Sequence, residues 1–146
     1  MDIPVKISVV VEEGGELPAY QTTGSAGMDL RSSEPVQLLP MERKLVGTAL
    51  RMAIPPGFEG QVRPRSGLAV KHGISMVNTP GTIDCDYRGE IKVLLINLGA
   101  EEVKLEKGER IAQLVISPVV QAELIQTDSL EETERGVGGF GSTGTK

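Results

Sequence analysis

The hydrophobic residues of this sequence occur in short runs separated by glycine, proline and charged residues. Runs of this length that are rich in β-branched residues and bounded by turn residues predict β-strands. Within the segment 28–31 we expect Met28 and Leu30 to face the core and Asp29 the opposite side. The predicted strands and extended segments cover residues 5–12, 28–31, 36–39, 44–54, 74–77, 90–98, 103–105, 110–116 and 119–125. Many short strands with almost no helical periodicity predict an all-β sandwich or barrel.

One segment favours a short helix. We predict that Ser66 is its N-cap, that residues 68–72 form one or two turns, and that Gly73 is a left-handed C-cap. No other segment has this combination of start and stop signals, so we expect a single helix.

The composition changes after Thr127. Residues 129–134 are acidic and polar, and residues 135–146 are mostly glycine, serine and threonine. Such a segment cannot bury enough apolar surface to order itself. We therefore divide the chain into a β domain at residues 1–126 and a flexible C-terminal arm at residues 127–146, which a ligand or a neighbouring subunit would have to hold.

Length, charge and cysteine content narrow the class of protein. A chain of 146 residues suits one domain with a hydrophobic core. The net charge of -5 argues against a nucleic-acid partner, and no apolar run is long enough to span a membrane. The single cysteine, Cys85, excludes an internal disulfide and a thiolate metal site. Without a signal-peptide pattern, we expect a cytoplasmic protein.

A basic side chain and a hydroxyl occur where the short helix begins, at Arg65 and Ser66, and Gly67 lets a ligand approach the backbone. Free N–H groups at the start of a helix bind anions, most often phosphate. The alternative is an ordinary cap beside a surface arginine, and these three residues alone favour it.

The C-terminal arm carries a second pattern suited to phosphate. Its glycines allow N–H groups to converge on an anion, while Arg135, Ser142 and Thr143 add charge and hydroxyls. Phe140 is one of only two phenylalanines in a chain without tryptophan. An aromatic ring in a segment with no core suggests stacking on a flat ligand. The alternative is a flexible, solubilising terminus.

Acidic and aromatic side chains are concentrated in residues 78–92, which we predict to be tight turns between two apolar strands. We expect Asp84 and Asp86 on one side of an extended segment and Tyr87 on the other. A carboxylate beside a nucleotide can act as a general base, although aspartates in turns are more often turn formers. For Asp29, contact with a metal ion and simple solvation both stay open.

Five segments, taken together, resemble the five motifs of the trimeric dUTP pyrophosphatases (dUTPases). They read AGMDLRS at residues 26–32, PRSGLA at 64–69, GTIDCDYRG at 81–89, KGERIAQL at 107–114 and RGVGGFGSTG at 135–144. One segment would be weak evidence, but five in the family's order and with near-family spacing are specific. The resemblance covers nearly the whole chain. It implies an all-β jelly-roll subunit in a homotrimer whose three sites are each built from all three chains.

The resemblance also implies an activity, namely hydrolysis of dUTP to dUMP and pyrophosphate, which keeps uracil out of DNA and supplies dUMP for thymidylate synthesis. Asp84 would activate the water that attacks the α-phosphorus, Tyr87 would lie under the deoxyribose, and Asp29 would contact Mg²⁺ through water. Uracil would be contacted by Asn78, Lys92 and the backbone of Thr82, Ile83 and Asp84, and Gly81 is a further implied substrate contact. The phosphates would be held by Arg65, Ser66, Gly67 and Gln113. Another subunit's arm would contribute Arg135, Phe140, Gly141, Ser142 and Thr143.

Two other functions are compatible with the same fold. The related dCTP deaminases share the fold and the phosphate contacts but lack the hydrolytic aspartate, so Asp84 followed by Asp86 and Tyr87 favours the pyrophosphatase. A non-catalytic nucleotide-sensing module on the same scaffold is expected where the base has been lost, and Asp84 is present here.

Overall fold

The computed structural model describes residues 4–146, which form ten strands and one helix. The strands are β1 (Ser8–Val11), β2 (Gly27–Arg31), β3 (Val36–Leu38), β4 (Arg43–Ala53), β5 (Phe58–Arg63), β6 (Ile74–Met76), β7 (Gly81–Ile83), β8 (Glu90–Asn97), β9 (Val103–Leu105) and β10 (Arg110–Pro118), and the helix is α1 (Ser66–His72). None of the helical segments in this part of the chain has the length and apolar character that a membrane crossing requires.

The strands form two four-stranded sheets and one two-stranded sheet, all paired antiparallel. The strand orders are β1-β4-β8-β6, β2-β10-β5-β7 and β3-β9. A single hydrophobic core joins the two larger sheets, because their inward side chains form one cluster. This arrangement confirms the prediction of an all-β sandwich.

Alternation along the strands decides which side chains enter the core. In β8, Ile91, Val93 and Leu95 are buried, whereas Lys92 between them is exposed. In β2, Leu30 is fully buried and Met28 packs against the core, as predicted from their spacing. The opposite face of each strand is thereby left free for polar groups, which is how the sheet of β2 and β10 presents its site residues.

The helix is confirmed, but the prediction of its N-cap was wrong by one residue. Arg65 is the N-cap, with extended backbone angles and a carbonyl that accepts a hydrogen bond from the Ala69 N–H at 3.1 Å. No side chain caps the helix, so the Ser66 hydroxyl is not used for capping. Gly73 ends the helix in the left-handed conformation at φ 68°, as predicted, and a Cβ there would lie 2.7 Å from the Gly99 nitrogen.

The strand predicted at residues 119–125 was wrong. After Pro118 the chain has no strand, and Val120, Leu124 and Ile125 are 93%, 92% and 76% exposed. A strand exists only where another strand takes its backbone hydrogen bonds, and no strand within residues 4–146 pairs with this segment. Residues 119–125 therefore have the apolar pattern of a strand, but no strand within residues 4–146 pairs with them.

The strands on either side of the turns predicted within residues 78–92 do not pair with each other. The short strand β7 pairs with β5, whereas β8 pairs with β4 and β6 in the other large sheet. Residues 84–89 therefore cross from one sheet to the other. The Tyr87 N–H donates to the Asp84 carbonyl at 3.1 Å, so these residues form a turn. The expectation that Asp84 and Asp86 share one side of an extended segment was therefore wrong.

Candidate active site

A polar cavity of about 360 Å³ lies where β2, β10 and the start of α1 meet. Asp29 comes from β2, and Gln113 is its direct register partner on β10. Arg65, Ser66 and Gly67 contribute the turn into the helix. The structure thus brings together all the residues expected at the phosphates and the metal in the β domain.

Two arginines hold the carboxylate of Asp29 in this cavity. Arg65 Nε lies 3.3 Å from Oδ1, and an Arg110 guanidinium nitrogen lies 3.4 Å from Oδ2. Arg65 also donates to the Arg110 carbonyl at 3.3 Å. Two guanidinium charges against one carboxylate leave an excess of positive charge, which favours an anionic ligand.

Arg110 is a site residue that the sequence reasoning missed. It lies inside the KGERIAQL segment, three positions before Gln113 on the same strand. A register shift between Arg110 and Ala112 interrupts the pairing with β2 at this point. A basic residue in the same segment as Gln113 was the available signal, but the irregular pairing that brings Arg110 to Asp29 is not visible in the sequence.

Gln113 is held in place by its neighbours. Its side-chain amide donates to the Pro64 carbonyl at 3.0 Å. Gly27 lies directly beneath it, because a Cβ at that position would be 2.6 Å from Gln113 Oε1. Gly27 was also missed as a contributor; it lines the cavity itself, and the absence of a side chain leaves the space that Gln113 occupies.

Asp84 lines a different cavity, of about 510 Å³, beside the turn at Gly57. Three carboxylic acids face it, those of Glu59, Asp84 and Asp86, and no lysine or arginine is among its lining residues. Asp84 is exposed. An acidic pocket of this kind can accept a proton from water, but it repels the phosphates of a nucleotide.

The residues expected at uracil and deoxyribose surround this crossing segment. Asn78 lies beside Gly81, since its amide nitrogen is 3.3 Å from a Cβ built there. Tyr87 is 44% exposed, and its hydroxyl donates to the Glu90 carbonyl at 2.7 Å. Thr82 is exposed at the sheet edge, and Ile83 is buried. Lys92 belongs to β8 in the other sheet and is exposed.

Sheet register separates the two cavities. Asp29 pairs with Gln113 of β10. Asp84 directly follows β7, and the register of the sheet puts it level with Glu59 of β5, which pairs with Ser117 of β10. The two aspartates are three strands apart across the sheet and four residues apart along it, from 113 to 117. At about 4.8 Å per strand and about 3.3 Å per residue, their Cα atoms are about 20 Å apart. Within one chain, Asp84 is therefore far from the cationic cavity.

The C-terminal arm makes no hydrogen bond to the residues of either cavity within residues 4–146. Within residues 4–146, the hydrogen bonds of residues 120–146 join residues of that same segment, such as Arg135 Nε to the Gly138 carbonyl at 2.8 Å. Phe140 is fully exposed. Turns that begin at Gly139 and Gly141 place Ser142 and Thr143 in a loop of exposed residues.

The chain alone offers a divalent metal ion few ligands. The part of the chain that the structure describes contains no group of three or more His, Cys, Asp or Glu placed to hold a metal. Asp29 has both oxygens facing arginines. A metal here would have to take most of its oxygen ligands from a bound ligand and from water, which is how Mg²⁺ commonly binds beside phosphates.

The comparisons with known proteins agree with this arrangement. The dUTPase family model matches residues 13–144. Deoxyuridine 5'-triphosphate nucleotidohydrolase of Anaeromyxobacter sp. is 60% identical over 146 residues, covering 99% of both chains, and that of Nautilia profundicola is 64% identical over 128 residues, covering 88% of this chain and 90% of the relative.

Two solved structures share the fold. The Staphylococcus bacteriophage 80alpha dUTPase with dUPNHPP has a TM-score of 0.90 at 30% identity, covering 96% of this chain and 99% of that one. A mutant dUTPase from phage phi11 of S. aureus, described with a structural Mg(II) ion, has a TM-score of 0.80 at 25% identity, covering 87% and 99%. The match includes all five segments and the all-β jelly-roll fold, and the chain belongs to the dUTPase family.

Proposed function

We propose that the protein hydrolyses dUTP to dUMP and pyrophosphate in a homotrimer whose active sites are shared between chains. The observation that carries the proposal is the family match over residues 13–144, which contains the cationic cavity, Asp84 and the arm. Relatives with the name of this enzyme match nearly the full chain. The reaction would limit the dUTP available for DNA synthesis and would supply dUMP for thymidylate synthesis, which suits a cytoplasmic enzyme.

The separation of the two cavities supports sharing between chains. A general base must lie within hydrogen-bond reach of the water it activates, about 2.6–3.2 Å between heavy atoms. Asp84 is about 20 Å from Asp29 in its own chain by sheet geometry, so phosphates bound beside Arg65 are out of its reach. A neighbouring chain that brings its own Asp84 to this cavity removes the difficulty.

Exposed apolar residues after β10 supply a surface for that assembly. Val120, Leu124, Ile125 and Leu130 are between 76% and 93% exposed. A group of exposed apolar residues on one segment is typical of a protein–protein contact. A cyclic homotrimer gives each site the same set of neighbours. We expect a mass in solution of about three times the chain mass of 15.6 kDa.

The chemical step follows from the carboxylate of Asp84. Asp84 takes a proton from a water molecule while the water oxygen forms a bond to the α-phosphorus. The bond from the α-phosphorus to the bridging oxygen breaks on the opposite side, and pyrophosphate leaves. Arg65, Gln113 and the N–H groups at Ser66 and Gly67 hold the phosphates and stabilise their negative charge.

Selection of the nucleotide is assigned to the segment around β7. Asn78, the backbone of residues 82–84 and Lys92 would hydrogen-bond uracil and leave buried groups unpaired with cytosine, which can discriminate by roughly 10⁴ to 10⁵. Tyr87 would lie under the deoxyribose and leave no room for a 2'-hydroxyl, so UTP is rejected.

The arm would complete the site from a third chain. Arg135, Ser142 and Thr143 would contact the outer phosphates, and Phe140 would stack over the base. The ring is fully exposed in the structure, so such stacking would cover an apolar surface that water now contacts. A closing segment of this kind excludes water from the reacting phosphates and tightens their electrostatic contacts.

Mg²⁺ would bind between the phosphates and Asp29, with water joining it to the carboxylate. When bound, it would neutralise phosphate charge and favour departure of pyrophosphate. The donor set fits this role, because a single carboxylate shared with two arginines is a weak direct ligand but a good acceptor for a coordinated water.

Release of pyrophosphate from separate samples of dUTP, dCTP, dTTP and UTP in the presence of Mg²⁺ tests the proposal. We expect turnover of dUTP and little of the other three. Ammonia from dCTP would instead indicate the deaminase, and binding of dUTP without turnover would indicate the non-catalytic module.

A further inference from the structure

The ring of Tyr87 lies against the backbone of Gly89. A Cβ built on Gly89 would be 2.5 Å from the tyrosine hydroxyl oxygen, 2.7 Å from Cζ and 2.9 Å from Cε1. Gly89 is not among the glycines with positive φ, so its backbone does not require glycine. The ring is therefore the reason that no side chain fits at this position.

The hydroxyl of Tyr87 provides a second point of attachment. It donates to the Glu90 carbonyl at 2.7 Å. An exposed tyrosine without such contacts samples several rotamers. The ring thus has contacts with two consecutive residues, the backbone of Gly89 and the carbonyl of Glu90. Together they restrict the orientation of the ring.

Glu90 is itself fixed to the core of the other sheet. Its carboxylate accepts a hydrogen bond from the Ala49 N–H at 3.3 Å, at the bulge where the pairing of β4 and β8 shifts. Ala49 is 6% exposed and has a φ of 58°. Gly47 leaves the space that the carboxylate occupies, because a Cβ there would overlap it. The support beneath Tyr87 thus reaches a rigid, buried part of the sandwich.

We propose that Gly89 is a specificity-determining residue and Glu90 a positioning residue for the sugar of the substrate. Gly89 lets the hydroxyl end of the tyrosine ring lie against the backbone, and Glu90 keeps the carbonyl that receives its hydroxyl in place. In this position the ring excludes a 2'-hydroxyl. The inference rests on the proposed function, because the contact of Tyr87 with deoxyribose belongs to it.

The substitution Gly89→Ala tests the support directly. The added methyl must displace the ring, so we expect the ratio of kcat/KM for dUTP to that for UTP to fall at least about tenfold. Gly24→Ala is the matched control, because Gly24 is exposed, has no positive φ, and a Cβ there meets no atom within 4 Å. It should leave the ratio unchanged.

The position of the ring can be followed without turnover. The chain has two tyrosines, Tyr20 and Tyr87, so labelling with 3-fluorotyrosine gives two ¹⁹F resonances that Tyr20→Phe assigns. In Gly89→Ala we expect the Tyr87 resonance to move while the Tyr20 resonance stays, which also shows that the fold is kept. In Gly24→Ala neither should move.

Two variants of Glu90 separate positioning from a general structural role. Glu90→Gln keeps an oxygen that can accept the Ala49 N–H, so its nucleotide ratio should stay near that of the unmodified protein. Glu90→Ala loses this contact, and its ratio should fall. A purely structural residue would reduce turnover of both nucleotides equally, and that result would overturn the assignment.

The outcomes distinguish this inference from the proposed function. A Tyr87 resonance that does not move in Gly89→Ala, or a resonance that moves with an unchanged dUTP to UTP ratio, overturns the inference while hydrolysis of dUTP stands. Absence of dUTP hydrolysis by the unmodified protein overturns the proposed function and the sugar selection with it, whatever the resonance does.

Discussion

The cavity beside Asp29 and the cavity beside Asp84 lie on the same four-stranded sheet but have opposite charge. The first contains Arg65 and Arg110 around one carboxylate. The second contains Asp84, Asp86 and Glu59 with no cation among its lining residues. The first can hold phosphates and has no free base, whereas the second has a base and repels phosphates. Neither cavity alone combines the cationic groups and the free carboxylate that the proposed hydrolysis requires.

The two cavities also differ in how firmly the fold holds their residues. Gln113 and Asp29 are on paired strands, and each has side-chain contacts to neighbouring elements. Asp84 is on a segment that crosses between sheets and is exposed. The cationic cavity is therefore preformed, while the base is placed on a surface that another chain can approach.

Asp84→Asn should give the largest effect, because it removes the base and keeps the shape of the loop. We expect kcat for dUTP to fall by roughly 10² to 10⁴, with a nearly unchanged affinity for dUTP. Steady-state kinetics and a binding titration measure the two quantities. Asp86→Asn is the matched control in the same turn and should retain most activity; equal losses in both variants would remove Asp84 as the specific base.

Deletion of residues 135–146 should give the second largest effect. The arm buries no core side chain, so we expect an unchanged melting temperature and an intact oligomer. Loss of its phosphate and base contacts should lower kcat by about 100-fold. Kinetics, calorimetry and a mass measurement on the same sample check this; a large drop in melting temperature would instead show that the arm is part of the folded domain.

Gly27→Ala should have a smaller effect that is confined to the cationic cavity. The added Cβ would meet Gln113 Oε1, so the amide must move away from its position beside the phosphates. We expect kcat/KM for dUTP to fall by about tenfold or less, since one contact among several is misplaced. Gly24→Ala serves as control. Kinetics identical to those of the control would show that Gln113 does not need this position.

Most strands and the orientation of β2 were predicted from the sequence, because alternation of apolar and polar residues reports burial directly. The inward residues of β8 follow the same period of two. The start of α1 was displaced by one residue, because the backbone of Arg65 provides the cap and no side chain does so. Cap chemistry read from side chains alone does not detect this.

The remaining errors concern long-range pairing. Residues 119–125 have the pattern of a strand but no partner strand within residues 4–146, and residues 84–89 join strands of two different sheets, which the sequence pattern did not indicate. Which strand accepts a segment depends on residues far away in the sequence. For the same reason Arg110 was missed, since only the irregular register of β10 brings it to Asp29.

The role of each site residue is still a prediction, because it is assigned from the resemblance of the motif segments. The geometry adds that Asp29, Arg65 and Gln113 converge in one cavity and that Asp84 and Tyr87 lie elsewhere. Residue types and order in the sequence do not reveal this division. It follows from the register of the sheet, and it is the feature that supports the proposal of a site completed by a second chain.

Mixing two inactive variants tests this central claim most directly. Arg65→Ala disables the cationic cavity, and Asp84→Asn disables the base. The two chains are unfolded and refolded together in equal amounts. If each site takes Arg65 from one chain and Asp84 from another, roughly one site in four receives both intact residues, and dUTP hydrolysis should return to about a quarter of the normal rate. If the mixture is no more active than its two components measured separately, the site is not shared.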